Sequence, residues 1–136
     1  MTKKVFDTSK LVAYWRKRYA EESRPLTVEI VVAWADSIIS MYDTDCIVTP
    51  VEIEFICGAA TSSELNLYNS FLSRFRMIDE GSILPLDWSR ALELARRIPQ
   101  DGRRRQMGDC LIRAIADRLK HDVLTSDTGF PTRGRG

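Results

Sequence analysis

The sequence has one histidine, His121, and three cysteines, Cys46, Cys57 and Cys110, scattered in apolar surroundings. That supply leaves no His/Cys spacing for zinc, and an odd number of dispersed thiols makes no disulfide frame. The thiols read as buried and reduced, which points to a reducing compartment, the cytoplasm. His121, beside Lys120, reads as a cation at the end of a helix. No apolar run approaches the roughly 20 residues that span a bilayer. Met1-Thr2-Lys3-Lys4 leads into only a few apolar residues before Asp7, so no secretory signal and no membrane partner are expected. The seven glycines build no phosphate-cradling loop, and no Ser/His/Asp arrangement stands out. A net charge of +1 says little about partners.

What is present suits one domain. A chain of 136 residues with 44% apolar content can bury a substantial core. Short apolar runs alternate with helical periodicity. Strands are predicted at Val5-Phe6, Cys46-Ile47-Val48, Ile83-Leu84-Pro85-Leu86 and Val123-Leu124. Between them lie helices, one following Asp7 and one over 27–42 with Val28, Val31, Val32, Ala35, Ile38, Ile39 and Tyr42 on one stripe. Thr49 is expected to cap a helix with Pro50 at its first position and Glu52 completing a capping box. Thr61-Ser62-Ser63-Glu64 repeats that signature. Asp87 is a candidate cap, and Asp109 is expected to open the helix carrying Cys110, Leu111, Ala114, Ile115 and Leu119. The alternation predicts an α/β fold, doubly wound, with a central parallel sheet of four or five short strands and helices on both faces. Residues 1–130 form the expected domain, and 131–136 a loose Arg/Gly tail.

Four acids stand at strand ends, element starts or in apolar context: Asp7, Glu54, Asp109 and Asp127. Asp7 and Asp109 could serve as helix caps, and Asp127 as a turn residue in Ser-Asp-Thr-Gly. Glu54 is harder to assign structurally. It lies among Ile53, Phe55, Ile56 and Cys57, and a charge on an apolar helix is costly unless paired, metal-bound or wetted. Carboxylates gathered at one sheet edge repel each other, and a hard cation with oxygen ligands, Mg²⁺ or Mn²⁺, relieves them. Such an ion lowers the pKa of bound water and stabilises charge on a phosphate. Arg103, Arg104, Arg105 and Arg113 are candidates to hold phosphates. Trp15, Tyr14 and Tyr42 could stack on bases, although their helical spacing favours the core.

The sequence resembles the PIN domain family. Val5-Phe6-Asp7-Thr8-Ser9 is similar to its opening strand, and Thr49-Pro50-Val51-Glu52-Ile53-Glu54-Phe55-Ile56-Cys57-Gly58 to its second motif. Asp109-Cys110-Leu111-Ile112 and Leu124-Thr125-Ser126-Asp127-Thr128-Gly129-Phe130 resemble the third and fourth. The resemblance implies a Mg²⁺- or Mn²⁺-dependent endoribonuclease, most similar to VapC-type toxins of toxin–antitoxin pairs. It makes Asp7, Glu54 and Asp109 metal ligands, and Asp127 a ligand directly or through water. Thr8 and Thr125 would orient carboxylates or waters. A homodimer, an RNA substrate and a small antitoxin protein are the partners it implies. Three rivals stay open: an idle RNA- or protein-binding module, an Asp phospho-acceptor signalling domain, and a nuclease acting on DNA.

Overall fold

Val5 and Phe6 are fully buried, as residues of a strand covered on both faces must be. They belong to β1 (Lys4–Phe6), which lies inside a four-stranded sheet. A computed structural model describes residues 2–99 and 102–132. After β1 come α1 (Thr8–Glu21), α2 (Val28–Tyr42), β2 (Cys46–Ile47), α3 (Thr49–Cys57) and α4 (Ser62–Leu72). Then follow β3 (Arg76–Met77), α5 (Pro85–Ala95), α6 (Met107–Arg118) and β4 (Asp122–Leu124). All strand pairings are parallel, in the order β3-β2-β1-β4, with Val5 opposite Cys46 on one side and Val123 on the other. The α/β architecture with a parallel sheet is therefore as expected. The chain runs from β1 to β2 to β3 in one direction and back past β1 to β4, and the right-handed rule for parallel crossovers assigns α5 and α6 to the face opposite α1–α4.

The core beside α1 is aromatic. Trp15 meets Trp34, Tyr68 and Phe71 edge-on, with ring centroids 5.2, 4.9 and 5.3 Å apart. Phe55 stacks on Phe71 at 5.4 Å, and Phe6 packs against Tyr42 and Phe75. Trp15 and Tyr42 are thus core residues, while Tyr14 accepts a hydrogen bond on its hydroxyl from Arg18. Thr27 and Thr61 cap α2 and α4 through their hydroxyls, accepting from the amides of Ile30 and Glu64.

Several local expectations are corrected. The third strand is not Ile83-Leu84-Pro85-Leu86. Pro85 starts α5 instead, where its missing N–H would have no helical partner, and Arg76–Met77 forms the edge strand. Asp87 lies inside α5, accepting from the Leu84 amide (2.9 Å) and from both arms of the Arg118 guanidinium (2.7 and 2.9 Å). Thr49 is the first residue of α3, not its cap; its amide and hydroxyl both donate to Asp79, each at 2.8 Å. Helix α6 begins at Met107, two residues before Asp109. Cys46 and Cys110 are buried, but Cys57 is exposed. Pro131 is buried and its carbonyl accepts from Arg113. Arg133 and Arg135 lie outside the described residues. Among those residues, no helix is long and apolar enough to cross a membrane.

Trp15→Ala should cost about 3–5 kcal/mol. In urea unfolding, the midpoint should fall while the slope stays that of the wild type.

Candidate active site

The sheet order places a topological switch between β1 and β4, because the chain leaves β1 toward β2 and later returns to β1's other side. Crevices outside the carboxyl ends of strands open at such points. Asp7 follows β1 directly, and Thr125 follows β4. The Asp7 amide donates to Leu124 O at 2.8 Å, which locks the two strand ends together.

Asp7 occupies the N-cap position of α1, yet its side chain makes no capping bond. The residue is 1% exposed. Its Oδ2 accepts from the Ser9 hydroxyl at 2.7 Å and from the Thr125 hydroxyl at 2.8 Å. Its Oδ1 is buried with no hydrogen-bond partner among the described residues. An orphan of this kind is expensive in a native fold, since buried polar atoms are almost always paired. Ser9 also accepts from the Ser126 amide, and Thr125 from the Asp127 amide, so the two hydroxyls tie the loop after β4 to Asp7.

The other acids converge from different elements. Glu54 lies in the second turn of α3, and Thr8 Oγ1 donates to its Oε1 at 2.5 Å. The residue is exposed as a whole, but its carboxyl end turns inward over Gly108, where a Cβ would overlap the carboxylate. Burial, opposed by the Thr8 hydrogen bond and reinforced by Asp7, raises the Glu54 pKa. Asp109, in the first turn of α6, is pushed up to about 7. Burial is the largest cause, followed by the charges of Asp7 and Asp127, a hydrogen bond with Asp127, and the charge of Glu54. Asp109 thus lies within electrostatic reach of the other three predicted acids, and Glu54 within reach of Asp7. Asp127 Oδ1 accepts from the Gly129 amide (2.8 Å) and from Arg103 Nη1 (3.1 Å). Among the described residues, no group of three or more carboxylates is already drawn close enough to hold a metal ion.

The arginines divide sharply. Arg103 reaches the acids, pairing with Asp127 and donating to the Thr128 hydroxyl at 2.6 Å. Arg104 is exposed. Arg105 is committed to the Arg97 and Gly129 carbonyls at 2.9 and 3.0 Å. Arg113 does not hold a phosphate in this geometry: its guanidinium is buried, bonded to Pro131 O and Asp117, and stacked over Phe130. A residue one turn after Asp109 on the inner face of α6 points into the core, and sequence spacing alone does not reveal that. Ser9 and Gly108 are site residues that the acidic pattern does not single out. For Ser9 a signal exists in the Asp-Thr-Ser spacing, because a hydroxyl two residues after an Asp readily bonds its carboxylate.

The sequence matches the PIN domain family over residues 4–135. The chain belongs to that family. PIN domains are generally nucleases that use divalent metal ions, and the acidic crevice at the β1/β4 switch lies where such chemistry belongs in an open α/β sheet. No curated protein matches the chain.

The raised Asp109 pKa sets a pH dependence in the metal-free PIN domain. A carboxyl with a folded pKa near 7, against an ordinary 3.8, binds its proton more tightly in the folded state. Stability should therefore fall as pH rises through the window between those values and be lowest above it. Thermal unfolding across that range should show the fall in wild type, and Asp109→Asn should flatten it.

Proposed function

We propose that this PIN domain is an endoribonuclease of the VapC type, dependent on Mg²⁺ or Mn²⁺ held by Asp7, Glu54, Asp109 and Asp127. The observation that carries this reading is the buried Asp7 Oδ1, unpartnered among the described residues, in a cluster where burial and the charge of Asp7 raise the pKa of Glu54, and burial with the charges of Asp7, Asp127 and Glu54 raises that of Asp109. The donor set is all oxygen, which suits a hard cation. A bound divalent ion supplies a water nucleophile at neutral pH and screens charge on the phosphate.

The chain's own residues do the rest. Ser9 and Thr125 hold Oδ2 of Asp7, leaving Oδ1 to face the cleft. Thr8 fixes the rotamer of Glu54, and Gly108 leaves room for its carboxylate. Burial and the neighbouring acids raise the pKa of Asp109, and a cation held beside it would lower that pKa again. Arg103 stands beside Asp127 with its guanidinium half-exposed, so it can exchange that carboxylate for a phosphate oxygen. The same reading includes a homodimer and a small inhibitory protein as partners. Exposed apolar residues on α5 and at the start of α6, Trp88, Leu92 and Met107, support an interaction face there.

The deciding experiment is thermal unfolding with and without Mn²⁺, followed by cleavage of unstructured RNA. Wild type should gain stability from the ion by mass action, and Asp7→Asn should lose that gain together with cleavage. Without metal, Asp7→Asn should melt higher than wild type, because one repelling charge is gone. Ser9→Ala and Thr125→Val should lower Mn²⁺ affinity about 10- to 100-fold. A flat Mn²⁺ response in every variant, with RNA binding retained, would replace the nuclease with the idle binding module. For the phosphate contact, Arg103→Ala should reduce the slope of log affinity against log salt by about 0.7 on single strands.

A further inference from the structure

Glu54 is a wall of two spaces. One is the acidic cleft. The other is a small hollow of about 170 Å³ lined by Glu54 together with residues of α1, α3 and α4. Val12 and Arg16 of α1 form one rim, and Gly58 at the end of α3 and Tyr68 of α4 the other. Trp15 lies beneath them, packed on Tyr68 at 4.9 Å. The hollow is well below the roughly 300–1,000 Å³ of sites for drug-sized ligands, and it is scaled to one planar ring.

We propose that this hollow receives one unpaired nucleobase of the RNA, that of a nucleotide adjoining the phosphate held at the acidic cleft. The inference rests on the nuclease reading for its ligand. Its geometry comes from adjacency. Thr8, which bonds Glu54, lies four residues before Val12 and eight before Arg16 on α1, a span of about 6 to 12 Å along the helix. A strand with a phosphate at Asp7 and Glu54 would carry its neighbouring unit within reach of this hollow, because Glu54 borders both.

The chemistry also favours a base. Tyr68, half-buried in the lining, offers an aromatic surface for a base. The rim carries a guanidinium, Arg16, whose charge reaches the Tyr68 hydroxyl, and that hydroxyl is held by Glu64 only at 3.5 Å. An alkyl chain would leave these polar groups unanswered, and a sugar has no π-face. A base in a duplex stack cannot enter, so the hollow selects single strands or loops.

The test uses neutral nucleosides, which avoid phosphate repulsion by the acids. Adenosine, guanosine, cytidine and uridine, with ribose as control, are titrated into the metal-free protein. NMR follows the Gly58 amide and the Trp15 indole N–H. At least one nucleoside should shift both signals saturably while ribose does not, and Arg16→Gln should weaken that binding about threefold or more. Gly58 has φ −76, a backbone open to other residues, and a Cβ there meets Phe55 O at 3.3 Å and Tyr68 at 3.8 Å, so Gly58→Val should fill the hollow and abolish the Trp15 shift. Arg16→Gln alters an exposed side chain and keeps the test open if Gly58→Val fails to fold. In cleavage of single-stranded oligonucleotides that differ at one base, Arg16→Gln should lose discrimination in kcat/KM with an unchanged Mn²⁺-induced Tm shift. If no nucleoside acts, or ribose acts equally, while Mn²⁺ stabilises and RNA is cut, the base site is wrong and the nuclease stands. Nucleoside shifts without any Mn²⁺ response would keep the base site and remove the nuclease. Shifts from an amphipathic peptide but from no nucleoside would overturn the base site in favour of a protein-docking surface.

Discussion

Like charges gathered at the end of one buried strand dominate this molecule. β1 is covered on both faces and paired on both sides, so the residue that follows it has no freedom to swing into solvent. That residue is Asp7. Its carboxylate is used asymmetrically, one oxygen accepting from two hydroxyls and the other from nothing among the described residues. A fold normally avoids a buried orphan next to three more acids, since each costs stability. Its persistence at the β1/β4 switch marks the place where this fold gives up stability for a site, as strained or repelling groups at functional centres generally do.

The cleft is built from neutral groups as much as from charged ones. Ser9, Thr125 and Thr8 carry no charge, yet they decide which carboxylate oxygens are available. Two of them also join β4's loop to β1, so the positions of Asp7 and Asp127 are coupled through hydroxyls and amides rather than through ion pairs. Gly108 contributes by having no side chain, letting α6 approach α3 until Glu54 lies across it. Arg103 brings positive charge directly to the cluster through Asp127. Arg105 and Arg113, close in sequence, are used to fasten Arg97, Gly129 and the segment around Phe130 and Pro131.

These assignments separate two kinds of arginine that the sequence presents alike. Arg103 is half-exposed on a long side chain beside an acid, and such surface pairs are weak and exchangeable. Arg113 has its guanidinium bonded inside the protein, where removing a partner would leave a buried charge. The first suits a group that moves between a carboxylate and a phosphate; the second suits a structural fastener.

Much of this architecture is legible in the order of residues. Apolar pairs at Val5-Phe6 and Val123-Leu124, with helical stripes between, specify a parallel α/β sheet, because strand and helix periodicities are local properties of the chain. The four acids are visible as acids at strand ends or on an apolar helix, and their motifs point to the PIN domain. Local pattern fails where long-range contacts take over a residue's bonding. Pro85 begins a helix that its apolar neighbours disguise as a strand. Thr49 gives up capping because Asp79, thirty residues away, answers its amide. Asp109 lies inside the first turn of α6 and titrates near 7 only because it is buried there and Asp7, Asp127 and Glu54 arrive from three other elements. Residue order alone settles which positions can carry charge and which segments have apolar faces to bury. Which carboxylate oxygen stays unpaired, which arginine reaches the cleft and what lies beside Glu54 follow only from the folded arrangement, because burial and repulsion depend on distances that no single segment contains.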